Sequence, residues 1–169
     1  RSSTNGIRPS SSEGSAAHRS SGRVAAAAER EIGWWPVTGL DDGAGLLPRR
    51  FVPFHWHGET FEPPPGARRV AESPGCAEQG FLIGDRVFGL QCHLETTPAA
   101  AADLIRHCPG DLAPGRWVQA AGDILAESER FEAANRLMTG AACLSDICIC
   151  CNWWTSASLP ASPKPLRSS

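Results

Sequence analysis

No stretch of the sequence approaches the 18 or so consecutive apolar residues that a helix needs to cross a bilayer, which excludes a helical membrane span. Basic charge is not in excess either. Sixteen Lys and Arg stand against eighteen Asp and Glu, for a net charge of −2, and this argues against an electrostatic hold on nucleic acid or on an anionic membrane. Seven cysteines among 169 residues are too sparse, and too odd in number, for a disulfide scaffold. That points to a reducing compartment, hence the cytoplasm. Methionine is almost missing: Met138 stands alone and the chain begins with Arg1, so the expectation is a fragment, a processed product or a partial gene product. What is present is an ordinary globular balance, 41% hydrophobic and 20% charged, long enough for one domain with tails.

Residues 1–28 hold a single acid, Glu13, and no apolar periodicity, but many serines. Such a segment cannot bury enough apolar surface to offset its ordering entropy, so a disordered Ser/Arg-rich lead is expected. Arg1, Arg8, Arg19 and Arg23 among Ser and Ala also suit a transit peptide, which would place the protein in a plastid or mitochondrion instead. The folded part is expected over 29–140. Ile32 to Val37 and Phe51 to His57 read as strands, Pro53 marking an edge or bulge in the second. Pro63-Pro64-Pro65-Gly66 predicts a turn, and Phe81-Leu82-Ile83, Gly84-Asp85 and Arg86 to Leu90 predict a hairpin about a two-residue turn.

After Glu95 the apolar period lengthens to that of a helix. Thr97-Pro98 predicts a capped start, followed by the stripe Ala101, Leu104, Ile105, Cys108. A second helix is expected to carry Trp117, Ala120, Ala121, Ile124 and Leu125 inward. A third, begun by Ser128, carries Phe131, Ala134, Leu137 and Met138. Strands first and three helices after them predict an α/β domain with a mixed sheet closed by helices. Beyond 140, Cys143, Cys148, Cys150 and Cys151 precede a Ser/Pro-rich end. Four thiols could ligate zinc, but adjacent Cys150 and Cys151 fit two tetrahedral corners poorly, so 141–169 reads as an unstructured tail.

Two clusters carry chemistry. In Gln91-Cys92-His93-Leu94-Glu95, His93 and Glu95 leave one strand face together, about 7 Å apart along the backbone at roughly 3.3 Å per residue. Glu95 can then hold one ring nitrogen of His93 and leave the other free as a base, which is the base-and-orienter half of a nucleophile triad. In His55-Trp56-His57-Gly58-Glu59, the two histidines share a face. With Glu62 they could form a two-His-one-carboxylate metal site, and the H-x-H-x4-E spacing resembles the first motif of cupin barrels. No second cupin motif follows, and the helical last third suits a small barrel poorly.

Taken together, Glu31-Ile32-Gly33-Trp34-Trp35-Pro36-Val37, Phe54-His55-Trp56-His57-Gly58-Glu59-Thr60-Phe61 and Gln91-Cys92-His93-Leu94-Glu95 resemble the C-terminal half of a class I glutamine amidotransferase. The nearest likeness is to stand-alone proteins related to the amidotransferase domain of GMP synthase. Trp117-Val118-Gln119 and the segment Phe131 to Leu137 look like that group's closing helices. The resemblance implies a partial flavodoxin-like α/β fold and a Cys-His-Glu triad in which His93 is the general base and Glu95 its orienter. It further implies that Trp56, His57, Gly58 and Glu59 lie in or beside the loop that holds the glutamine substrate. A synthase partner would accept the ammonia, and neither cofactor nor metal is implied.

One element of the family's pattern is missing. The nucleophile elbow, Gly-x-Cys-x-Gly-x-Gln, should lie upstream of Glu31, yet residues 1–28 contain no cysteine. Cys92 points to the face opposite His93, Cys76 belongs to a loop and Cys108 to a core stripe, so none sits on a strand-to-helix elbow. The expectation is therefore an amidotransferase-like chain inactive as it stands. Its rivals are a non-catalytic remnant serving as an interaction module and, further off, a cupin-like metal enzyme.

Overall fold

The computed structural model describes residues 23–40, 45–84, 87–142 and 148–150. The chain opens with β1 (Val24–Trp34), β2 (Val37–Gly39), β3 (Arg50–Phe51), β4 (Phe54–Phe61), β5 (Ala67–Glu72), β6 (Gly80–Ile83) and β7 (Val87–Leu90). Helix α1 (Pro98–His107) and a 3-10 turn (Pro109–Leu112) follow, then β8 (Trp117–Val118), α2 (Ala121–Ala126), α3 (Ser128–Ala142) and β9 (Cys148–Cys150). The strands form two sheets, ordered β4-β1-β8 and β3-β2-β5-β6-β7-β9. Most pairings are antiparallel; β1 with β8 and β7 with β9 are the parallel ones among the described residues.

Local chemistry accounts for most of these elements. Pro53 lacks the donor a continuous ladder needs, and the expected strand over 51–57 divides there into β3 and β4. Gly66, at φ 80°, closes the turn after the proline run, where Ala67 N–H donates to Pro64 O at 2.9 Å. Thr97 caps α1 by accepting from Ala100 N–H at 3.2 Å, with Pro98 in the first turn. In α3, Phe131 and Ala134 are buried while Leu137 and Met138 pack against the core, as the stripe predicts.

Five expectations need correction. Strand β1 begins at Val24, inside the segment read as a disordered lead; residues 1–22 lie outside the described residues. Ile83 pairs with Val87, so three residues rather than two separate β6 from β7, of which Asp85 and Arg86 lie outside the described residues. Trp117 is not helical. Trp117-Val118 pairs parallel with Glu31-Ile32, and Gln119 N–H donates to Ile32 O at 3.0 Å, because the open edge of β1 supplies partners that local periodicity cannot reveal. Helix α2 keeps Ile124 buried but leaves Leu125 exposed. Of the expected tail, Cys148–Cys150 is described, as the strand β9; the other tail cysteines lie outside the described residues.

The two sheets and the helices share one aromatic core. Trp34 meets Phe54 and Phe131 edge-on, with ring centroids 5.4 and 4.7 Å apart, and its Nε1–H donates to Ile124 O at 3.0 Å. Gln119 binds the backbone of Trp34 from both ends of its amide, accepting from N–H at 2.8 Å and donating to the carbonyl at 3.4 Å. Gly33, at φ 104°, gives Gln119 its room: any Cβ there would collide with that side chain. Phe131→Ala is expected to cost about 3–5 kcal/mol by emptying the contact between α3 and this core. Urea unfolding of the two proteins checks the value.

Candidate active site

The sheets meet where Phe54 and His93 form an isolated antiparallel bridge. Phe54 N–H donates to His93 O at 3.2 Å and His93 N–H to Phe54 O at 2.7 Å. Beyond β7 the chain bends on either side of this bridge, and His93 and Glu95 emerge together from that bent segment rather than from one strand face. Their side chains meet: His93 Nδ1 lies 2.6 Å from Glu95 Oε1. A carboxylate oxygen can only accept, so Nδ1–H donates and Nε2 is left with its lone pair. The other carboxylate oxygen accepts from Leu94 N–H at 3.0 Å. Burial opposes the charge on Glu95, but the His93 hydrogen bond and the nearby ring outweigh it, holding the carboxyl below its ordinary range. The two side chains keep 23% and 39% of their surface in contact with solvent, so the pair is accessible.

Asn135, on α3, clamps this segment. Its Nδ2 donates to Leu94 O at 2.6 Å and to Thr96 O at 3.2 Å, on either side of Glu95. The Asn had no partner visible in the sequence, and its positioning role appears only once α3 is packed.

The other cluster takes a different form from the one expected. Trp56 and His57 are buried, while Gly58 and Glu59 are exposed, and all four lie within β4 rather than in a loop. The ladder to β1 pairs Glu31 with His57 and Ala26 with Glu59, and its register shifts between those two pairs, at Gly58. Trp56 Nε1–H donates to Asp111 Oδ2 at 3.0 Å, and Arg30 reaches the Gly110 and Asp111 carbonyls, so Trp56 is committed to packing. The carboxylate beside His55 and His57 is Glu31, from β1, and not Glu62, which corrects the expected metal triad.

Glu31 is fully buried. Its Oε1 accepts from Ser73 Oγ at 2.7 Å; its Oε2 accepts from Gln79 Nε2 at 2.5 Å and lies 3.1 Å from His57 Nε2. Gly75 leaves space for this carboxylate, since a Cβ there would sit 2.6 Å from Oε1. Burial alone would raise the pKa of Glu31, but the His57 contact, the His55 ring and Ser73 together bring it below the ordinary carboxylate value. Burial drives His55 the other way for a base, down to about 3, against the attraction of Glu31, so its ring is neutral. Glu31, Ser73 and Gln79 escaped the sequence reading because their partners come from distant strands. The one local signal was an acidic residue inside an apolar strand.

No protein-family profile matches the chain. The glutamine amidotransferase-like protein YfeJ of Salmonella typhimurium is 37% identical over 92 residues, 50% of this chain and 38% of that protein. The solved structure of a glutamine amidotransferase from Methylobacillus flagellatus superposes with a TM-score of 0.64 at 29% identity, covering 69% of this chain and 51% of that one. A glutamine amidotransferase structure from Thermotoga maritima gives 0.59 at 28% identity, over 71% and 53%. The chain thus spans about half the length, or less, of the relatives it matches. In sequence and in its mixed α/β fold it resembles class I glutamine amidotransferases, as a partial domain. Among the described residues no helix is long and apolar enough to cross a membrane.

Because the folded-state pKa of Glu95 is depressed, its pairing with His93 adds stability above the ordinary carboxylate value of 4.5 and loses it as pH falls through the lower folded value. Glu95 is more than a third exposed, so the contribution is at most about 1 kcal/mol. Glu95→Gln is expected to lose that amount near neutrality and to flatten the acid limb, measured as urea midpoints across the pH range.

Proposed function

We propose that this chain carries the proton-transfer half of a glutamine amidotransferase site, with His93 as general base and Glu95 as its orienter. The carrying observation is the 2.6 Å contact between His93 Nδ1 and Glu95 Oε1 on a pair that solvent still reaches. With Nδ1–H fixed by the carboxylate, Nε2 accepts the proton of a thiol. The thiolate then attacks the side-chain carbonyl carbon of glutamine. The imidazolium returns the proton to the leaving nitrogen, ammonia departs, and water hydrolyses the glutamyl thioester. The ammonia would pass to a synthase partner. Of the segment first associated with substrate, Gly58 and Glu59 remain open to it, whereas Trp56 and His57 serve the interior.

The described cysteines are poor nucleophiles for this base. Cys76 is buried, its thiol raised by desolvation and engaged with Thr60 and Glu78 O. Cys92 belongs to the hydrophobic core. Cys108 closes α1, and burial together with Asp111 raises its thiol as well. A thiolate is the reacting species, so raised thiols beside acids are the wrong environment. The chain alone is therefore expected to bind glutamine, if at all, without turnover.

Two assays test this reading. The purified chain should release no glutamate from glutamine; release that His93→Ala abolishes would overturn the missing-thiol argument. Co-expression with a polypeptide bearing a Gly-x-Cys-x-Gly-x-Gln elbow should give activity that His93→Ala lowers by about 10²–10⁴-fold. Reconstituted activity indifferent to His93 would remove it from the mechanism.

A further inference from the structure

The buried group on β1 and β4 has donor geometry that protons alone leave unsatisfied. His55 Nε2 lies 3.2 Å from Trp35 O and His57 Nδ1 lies 3.1 Å from Glu59 O. A carbonyl only accepts, so both of these nitrogens carry hydrogen, and the ring atoms turned towards Glu31 are His55 Nδ1 and His57 Nε2. Those two atoms are 3.5 Å apart, and they stand 3.7 and 3.1 Å from Glu31 Oε2. Three electron-pair donors therefore converge on one point inside the protein. The Gln79 amide N–H serves Glu31 Oε2 at 2.5 Å and faces His57 Nε2 at 3.4 Å; a cation serves all three.

We infer that Glu31 Oε2, His55 Nδ1 and His57 Nε2 form a binding site for a divalent transition metal, zinc by its donor set, that holds β1 to β4. Around a tetrahedral ion with bonds of about 2.0–2.2 Å, neighbouring donors lie about 3.3–3.6 Å apart, which brackets the mean of the three separations here. Both rings already make the outer contact typical of metal-bound imidazoles, an N–H to a backbone carbonyl, and Ser73 holds the far oxygen of the carboxylate. A second and independent feature is Gln79. It is fully buried, its amide reaches into the cluster to within 3.4 Å of His57 Nε2, and its Oε1 has no partner among the described residues. Half a turn of that amide presents Oε1 to the ion as a fourth donor. The site does not take part in the amide chemistry proposed for His93 and Glu95, and it stands whether or not that reading does.

The site is closed to solvent, so the ion is best loaded while the full chain refolds. Refolded with cobalt(II) as a spectroscopic probe, the protein should retain one equivalent after gel filtration. It should show the intense visible bands of a tetrahedral ion, without thiolate charge-transfer absorption, and zinc should displace the cobalt. Zinc should raise the melting temperature of the wild type and not of Glu31→Gln, whose cobalt affinity should fall at least ~10-fold. Replacing Cys143, Cys148, Cys150 and Cys151 by serine should leave the cobalt spectrum unchanged. A wild-type chain that retains no cobalt overturns the inference whatever the variants do. So does a cobalt affinity that Glu31→Gln leaves unchanged, or binding that disappears with the four cysteines.

Discussion

The pairing of β1 with β4 is the constraint on which the remainder of the molecule depends. One register places Glu31 opposite His57 and Trp34 opposite Phe54, and Phe54 in turn bridges to His93. The buried polar cluster, the aromatic core and the exposed acid–base pair are thus three consequences of a single alignment. Side chains alternate along a strand, so a slip of one residue would turn Glu31 away from the histidines and Trp34 away from Phe131. The register shift between Ala26 and Glu31 ends at the Glu31–His57 pair, and from there the ladder runs regularly to Trp34 and Phe54.

The same two residue types, imidazole and carboxylate, meet twice in this chain under opposite conditions. At His93 and Glu95 the pair lies at a strand end near water, where ionisation costs little and one ring nitrogen stays open to an incoming group. At Glu31, His55 and His57 water is excluded, and a lone carboxylate there would be strongly disfavoured without donors around it. Ser73 and Gln79 supply those donors. The first arrangement suits the movement of a proton; the second suits the holding of strands. The likeness to glutamine amidotransferases bears on the first through its motif, and it leaves the second to be explained by physical chemistry alone.

Much of this was legible before any coordinates. Period-two patterning located β6 and β7, helical periodicity with a Thr-Pro start located α1, and the stripe of α3 came out with its core residues in place. His93 and Glu95 do stand together as their closeness in sequence suggests, but in a bent segment beyond β7 and not on the strand face expected for them. The other misreadings share one cause. Trp117-Val118 follows a helical spacing but joins β1, far upstream in the chain; His57-Gly58-Glu59 contains a glycine that suggests a loop, yet β1 supplies it with a ladder. Glu31 displaced Glu62 as the neighbour of the histidines for the same reason. Tertiary pairing decided each case, and no local window contains that information.

The Asn135 clamp gives the chain an order of assembly during synthesis. His93 and Glu95 leave the ribosome well before α3 does, and the carbonyls of Leu94 and Thr96 have their side-chain donor only after residue 135 has emerged and its helix has docked. Until then the nascent polypeptide holds its imidazole and carboxylate on a segment without that anchor, so the acid–base geometry is completed near the end of translation rather than as its residues are made.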